Sequence, residues 1–200
     1  GFMECIARAD KKSQKKGFFG PKQFENSWNV LAHQRTTAPE IHNALKLNKI
    51  KSLGAFVTGV GTGGTVMGVY HYFTQIQKHF QAFPVLPTKN SDGGHRIEGI
   101  GDSFIPKILD LDSLGSIIRI KDSDAISLAR QLNKIGLSVG ISSGANVFAS
   151  IIKSVSLGSE ATVATILCDD NKKYLSTDLC SNSNEELSQD VKVIDFEIIA

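Results

Sequence analysis

Cysteine is scarce in this chain of 200 residues: Cys5, Cys168 and Cys180 are odd in number and widely spaced. They show neither a metal-ligand nor a redox pattern, which favours a reducing compartment. No apolar run approaches the length of a membrane span and no signal peptide is visible, so the chain reads as cytosolic. Charge of one sign is lacking as well, with 22 basic against 20 acidic residues and a net charge of +2. That balance argues against a protein that coats nucleic acid. The one basic cluster, Lys11, Lys12, Lys15 and Lys16, has no interleaved aromatics and reads as a solvated helix face. The five histidines, His33, His42, His71, His79 and His95, lack metal-like spacing and read as surface or structural, so no metal is expected. An initiating methionine and a helix cap are missing too. Gly1 to Ala9 already reads as mid-helix, and a truncated N-terminus is expected.

What is present is an alternation of strand and helix patterns. After a turn at Gly20-Pro21, the segment around Trp28 and Asn29 reads as irregular. Thr37-Ala38-Pro39-Glu40 signals a helix start, with Thr37 as cap and Glu40 closing a capping box. Strands are expected at 55–60, 82–86, 116–120, 138–141 and 162–167, with helices at 64–79, 123–135 and 144–154. Short connections between such elements imply an α/β fold: a doubly wound, mostly parallel sheet with helices on both faces and ligands at the carboxyl ends of the strands. From Asp190 to Ile199 apolar and polar residues alternate, which fits an edge strand or a partner-facing extension.

The most informative stretch is Val57 to Gly68, where an apolar run breaks into glycines and then into a helical pattern. Four glycines among positions 59–64 cost backbone entropy that plain packing does not require. Glycines let backbone N–H groups approach an anion, and the helix dipole favours negative charge there. Gly59-x-Gly61-x-x-Gly64 matches a dinucleotide fingerprint, yet the next strand ends in Pro87-Thr88-Lys89, without the carboxylate that would hold a ribose. Lys89 leaves an NADP-binding oxidoreductase domain open as an alternative. Gly61-Thr62-Gly63-Gly64-Thr65, with two hydroxyls beside the backbone donors, suits a small phosphate monoester instead.

That loop resembles the phosphate cup of the pyridoxal-phosphate enzymes related to cysteine synthase (O-acetylserine sulfhydrylase) and cystathionine β-synthase. Four further blocks are similar to the family and fall in its order. They are Gln23-Phe24-x-Asn26 with Thr36 to Ile41, His95 to Pro106, Gly140-Ile141-Ser142-Ser143-Gly144-Ala145, and Tyr174-Leu175-Ser176-Thr177. The resemblance implies the fold of the fold-type-II, tryptophan-synthase-β-like enzymes, truncated at the N-terminus. Residues 1–35 would be the remnant of the N-terminal substrate-loop domain, 36–180 the C-terminal α/β domain that binds the cofactor phosphate, and 181–200 a C-terminal extension.

By the same resemblance Gly61, Thr62, Gly63, Gly64 and Thr65 hold the cofactor phosphate, and Ser142 faces the pyridine nitrogen. A neutral hydroxyl there suits β-elimination more than transamination. Gln23 helps hold the substrate carboxylate, while Gly99 and Gly101 leave room at the active-site mouth. No residue of this chain is expected to be the catalytic Schiff-base lysine. Its motif, like the substrate loop, belongs before Gly1, and Lys121-Asp122 reads as a surface helix start. Asp169-Asp170-Asn171-Lys172 reads as a turn rather than a cation loop. Ser103 stands where relatives commonly have glycine, and the loop from Pro87 to His95 is shorter than theirs. The implied reaction replaces the acetoxy group of O-acetylserine with sulfide through an aminoacrylate, in a cytoplasmic homodimer that needs neither nucleic acid nor membrane. A cystathionine β-synthase-like reaction and a non-catalytic binding module are the other readings.

Overall fold

The computed structural model describes residues 2–90, 93–101, 104–181 and 187–194. Its centre is a four-stranded, fully parallel sheet in the order β3-β2-β1-β4, formed by β1 (Ala55–Gly59), β2 (Ala82–Pro87), β3 (Ile118–Ile120) and β4 (Val163–Ala164). The helices are α1 (Phe2–Ser13), α2 (Trp28–Arg35), α3 (Thr37–Leu47), α4 (Gly64–Ile76), α5 (Asp122–Lys134) and α6 (Ile141–Leu157).

The period-2 alternation of the two central strands sorts the core into two layers. Ala55, Val57, Phe83 and Val85 point to one face, where they are buried with Ile126 and Leu128 of α5 and Ala145 and Phe148 of α6. Phe56 and Ala82 point to the other, packed with Leu45 of α3 and Val66, Val69 and Phe73 of α4. Helices therefore cover both faces. The chain leaves β1 toward β2 on one side and returns at β4 on the other, so the strand order reverses between β1 and β4, where such sheets bind ligands.

Several expected elements differ. The stretch at Trp28 is helical because α2 packs on α4, where Gly64 and Gly68 have no side chains to hold it off. A Cβ on Gly68 would lie 2.6 Å from the Cβ of His33 and from the carbonyl of Val30. Thr37 does not cap α3 but is its first residue. Because α2 runs to Arg35, the hydroxyl of the capping residue Thr36 donates back to the Ala32 carbonyl instead.

No strand forms at 138–141 among the described residues. The Asn133 side chain occupies both backbone groups of Val139, accepting from its N–H at 2.8 Å and donating to its carbonyl at 3.2 Å. The Gly-Ile-Ser-Ser-Gly-Ala block is accordingly the first turn of α6. Gly144 is required there because a Cβ would lie 2.1 Å from the Ala125 carbonyl of α5.

The tail is not an edge strand at 190–194, and 195–199 lie outside the described residues. The Ser188 N–H and hydroxyl donate to the buried Asp124, and the Gln131 amide pairs with the Val191 carbonyl and the Val193 N–H. The segment thus lies along α5 of its own chain.

Candidate functional site

The glycine loop leaves the carboxyl end of β1. Gly63 sits at φ +89°, a conformation costly for any residue with a Cβ, and turns the chain into α4. The N–H groups of Thr62, Gly63 and Thr65 meet no acceptor among the described residues. They are the unsatisfied donors that open a helix, and they coincide with its positive dipole end. A Cβ on Gly61 would lie 2.5 Å from the Gly99 carbonyl, and one on Gly64 would lie 2.0 Å from Asn29 Oδ1. The cradle is built from backbone that side chains would fill, so it fits a phosphate monoester.

Helix α2 holds the two threonines of the loop. Asn29 Nδ2 donates to Thr62 Oγ1 at 2.9 Å and to the Gln23 carbonyl at 2.9 Å. His33 Nε2 lies 3.2 Å from Thr65 Oγ1, and its Nδ1 lies 2.9 Å from Thr37 Oγ1. Burial pushes the His33 pKa below the ordinary imidazole value, which keeps the ring neutral near pH 7. His33 is thus a part-buried histidine that ties Thr37 to Thr65 of the loop. Neither it nor Asn29 was expected at the site, because α2 itself was not expected.

At the opposite wall, Ser142 is buried in the first turn of α6, 5% exposed. One turn on, the fully buried Asn146 accepts the Gly59 N–H at 2.7 Å and donates to the Ile166 carbonyl at 2.8 Å. This side chain ties the start of α6 to the ends of β1 and β4, bringing Ser142 to the same sheet end as the glycine loop. Just after β4, the Cys168 N–H donates to Ser143 Oγ at 3.0 Å. Crowding by the surrounding chain raises the Cys168 thiol pKa, against hydrogen bonds from Ser142 and Asn146 that lower it.

The remaining expected residues fall as follows. Gly101 N–H donates to the Val60 carbonyl at 3.0 Å, which lays the 99–101 loop beside the cup. Both glycines have positive φ, +84° at Gly99 and +80° at Gly101, but for different reasons. A Cβ on Gly99 would meet open space, whereas one on Gly101 would strike Pro87 at 2.4 Å. Gln23 is exposed and joins the cup through its backbone carbonyl alone. Ser103 lies outside the described residues. Lys121 is exposed just before α5, and Asp170 accepts the Lys172 N–H as a turn residue. Beside Gly61 a cavity of about 150 Å³ is lined by Val60, Pro84, Leu86, Phe104 and Leu109. Its apolar walls cannot compensate a dianion, whereas the N–H cluster can.

Residues 1–169 match the model of the "Pyridoxal-phosphate dependent enzyme" family. The chain belongs to this family. Cysteine synthase of Staphylococcus aureus is 38% identical over 185 residues, covering 88% of this chain and 58% of its own length. The structure of a hydrogen sulfide-producing enzyme from Fusobacterium nucleatum superposes with a TM-score of 0.86 at 37% identity, over 94% of this chain and 58% of that one. An O-acetylserine-dependent cystathionine β-synthase from Helicobacter pylori gives 0.77 at 34% identity, over 87% and 58%. The chain thus spans a little over half the length of these relatives. The family match decides the cofactor question in favour of pyridoxal phosphate and against the dinucleotide reading of the glycine loop.

Proposed function

We propose that these 200 residues form the cofactor-phosphate half of a β-replacement enzyme acting on an O-acetylserine-type amino acid, with sulfide as the second substrate. The observation that carries this reading is the convergence of the glycine-threonine cup and Ser142 on one sheet end through Asn146. Thr62, Thr65 and the backbone N–H groups of Thr62, Gly63 and Thr65 hold the phosphate around the turn made by Gly61 and Gly64, and Ser142 meets the ring nitrogen with a neutral hydroxyl. Bound pyridoxal phosphate supplies the electron sink that lets a leaving group depart from the β-carbon of an amino acid. Gln23 and the open space at Gly99 belong to the substrate side. The curated relatives' names, all cysteine synthases, support cysteine as the product, the O-acetylserine-dependent solved relative supports that amino-acid substrate, and a cystathionine β-synthase-like second substrate is the nearest variant. We read 1–35, 36–180 and 181–200 as a substrate-domain part, the cofactor domain and an extension, in a cytoplasmic homodimer. None of the lysines of this chain takes the covalent role, so the isolated chain binds cofactor reversibly and makes no cysteine.

Trp28, the sole tryptophan, sits in α2 beside Asn29 and reports on the cup. Its fluorescence is expected to be quenched by pyridoxal phosphate at concentrations about ten-fold below those needed with pyridoxal, and to be unaffected by NADP. Equal response to the two vitamers, or a response to NADP alone, refutes the reading.

A further inference from the structure

A hydroxyl has one proton to give and two lone pairs that accept, so a threonine offers its proton to an anion only if other groups supply the hydrogens it accepts. At Thr62 this requirement is met. Asn29 Nδ2 donates to Oγ1 at 2.9 Å and the Gly64 N–H approaches it at 3.3 Å, so both acceptor positions are taken and the remaining proton must point outward. At Thr65 the partner is an imidazole, and the outcome depends on which nitrogen carries the hydrogen. Burial keeps His33 neutral, leaving it one N–H for two hydroxyl neighbours. If Nδ1 held that proton, Nε2 would take the hydrogen of Thr65, and the threonine would turn only lone pairs toward a phosphate.

We propose that α2 sets the hydrogen-bond polarity of the phosphate cup. Asn29 donates to Thr62, and His33, as the Nε2–H tautomer held by a bond from the Thr37 hydroxyl to Nδ1, donates to Thr65, so that both threonine protons face the anion. This rests on the reading of the loop as the seat of the pyridoxal phosphate phosphate group. His33 is here a positioning residue, since it touches Thr65 and not the ligand. The close contact of α2 with Gly64 and Gly68 serves this end, because a Cβ at either position would displace Asn29 or His33.

The decisive measurement is the ¹⁵N spectrum of imidazole-labelled chain at pH 7.5 with saturating pyridoxal phosphate, the His33 signals being assigned by their loss in His33→Gln. Protonated Nε2 with unprotonated Nδ1 is expected. Protonated Nδ1, or protonation of both nitrogens, overturns the inference. Affinities give an independent readout. His33→Leu, which removes the donor, is expected to weaken pyridoxal phosphate about ten-fold, the scale of one hydrogen bond to a charged partner, and to leave pyridoxal unchanged. His33→Gln, whose amide still donates, is expected to stay within about three-fold of the unaltered chain. Equal losses in both variants, or parallel losses for both vitamers, would mean that His33 only packs. If the unaltered chain shows no preference for the phosphorylated vitamer, the cofactor reading falls and the inference with it. A preference that survives His33→Leu sinks the inference alone.

Discussion

Replacing Asn146 by alanine is expected to be among the most destabilising single changes available in this chain. The side chain is fully buried, accepts the Gly59 N–H at 2.7 Å, and donates to the Ile166 carbonyl at 2.8 Å and more weakly to Cys168 Sγ at 3.7 Å. Alanine leaves both backbone groups without a partner where water does not reach, and each such group costs on the order of 1–3 kcal/mol. The two together come to about 3 kcal/mol, before any cost of the space vacated between α6, β1 and β4. That is a large share of a stability that amounts to roughly 5–15 kcal/mol for a domain. For a chain of this size it corresponds to a fall of roughly 6–12 °C in the melting midpoint. Circular dichroism melts and urea titrations of the two proteins measure it directly. Asn146→Asp provides the internal control: it keeps the acceptor for Gly59 but presents a carboxylate to the Ile166 carbonyl, so it is expected to destabilise too. A midpoint within 2 °C of the unaltered chain for Asn146→Ala would refute the claim that this residue joins helix and sheet.

Gly64→Ala would set a methyl group 2.0 Å from Asn29 Oδ1, and it is expected to cost about 1–3 kcal/mol by overpacking and to abolish the preference for pyridoxal phosphate over pyridoxal. His33 contributes to the pH dependence of stability, because burial depresses its folded pKa below 6.5, and His42 is shifted the same way. Above that value both states are neutral and nothing changes. Below it the unfolded chain binds the proton more readily, so the melting temperature is expected to fall with pH, less steeply in His33→Gln. Tyr174 donates to Asp169 Oδ2 at 2.9 Å, and burial together with that carboxylate pushes its phenol well above the ordinary value. Ultraviolet titration should therefore find one of the three tyrosines silent until the chain unfolds, and Tyr174→Phe should remove no absorbance change below that point.

The layered sheet could be read from the sequence because its information is local. In Ala55-Phe56-Val57 and Ala82-Phe83, successive residues serve opposite faces, and the glycines after Thr58 mark where the strand must turn. The same local reasoning fails at Ser138 to Ile141. The apolar residues there look like a strand, but Asn133, six residues before Val139, has already taken its backbone groups. No periodicity contains that information. The edge-strand expectation for 190–194 fails for a related reason. Alternation from Asp190 onward predicts a surface that pairs with a sheet, whereas the Gln131 side chain of α5 offers a donor and an acceptor that mimic a strand edge for Val191 and Val193.

The site divides in the same way. The proposed anion seat is a property of consecutive residues, so Gly61 to Thr65 announce it without help from the rest of the chain. What makes that seat work is contributed from a distance: Asn29 reaches Thr62 from 33 positions away, and Asn146 reaches Gly59 from 87. Both are short amides, which in a sequence read as turn or cap residues. The eight residues of α2 are too few for a helix stable in isolation, and the Asn26-Ser27 pair before it, whose Asn26 Oδ1 accepts the Trp28 N–H, reads in the sequence as a turn. The helix exists because Val30 is buried and because two glycines of α4 let its backbone approach. A glycine spaced four residues from another on a helix is thus the sequence signal that a second element must lie against it. At Gly64 and Gly68 that signal was present, and its consequence is that the loop's glycines serve two ends at once, the proposed anion seat on one side and the approach of α2 on the other.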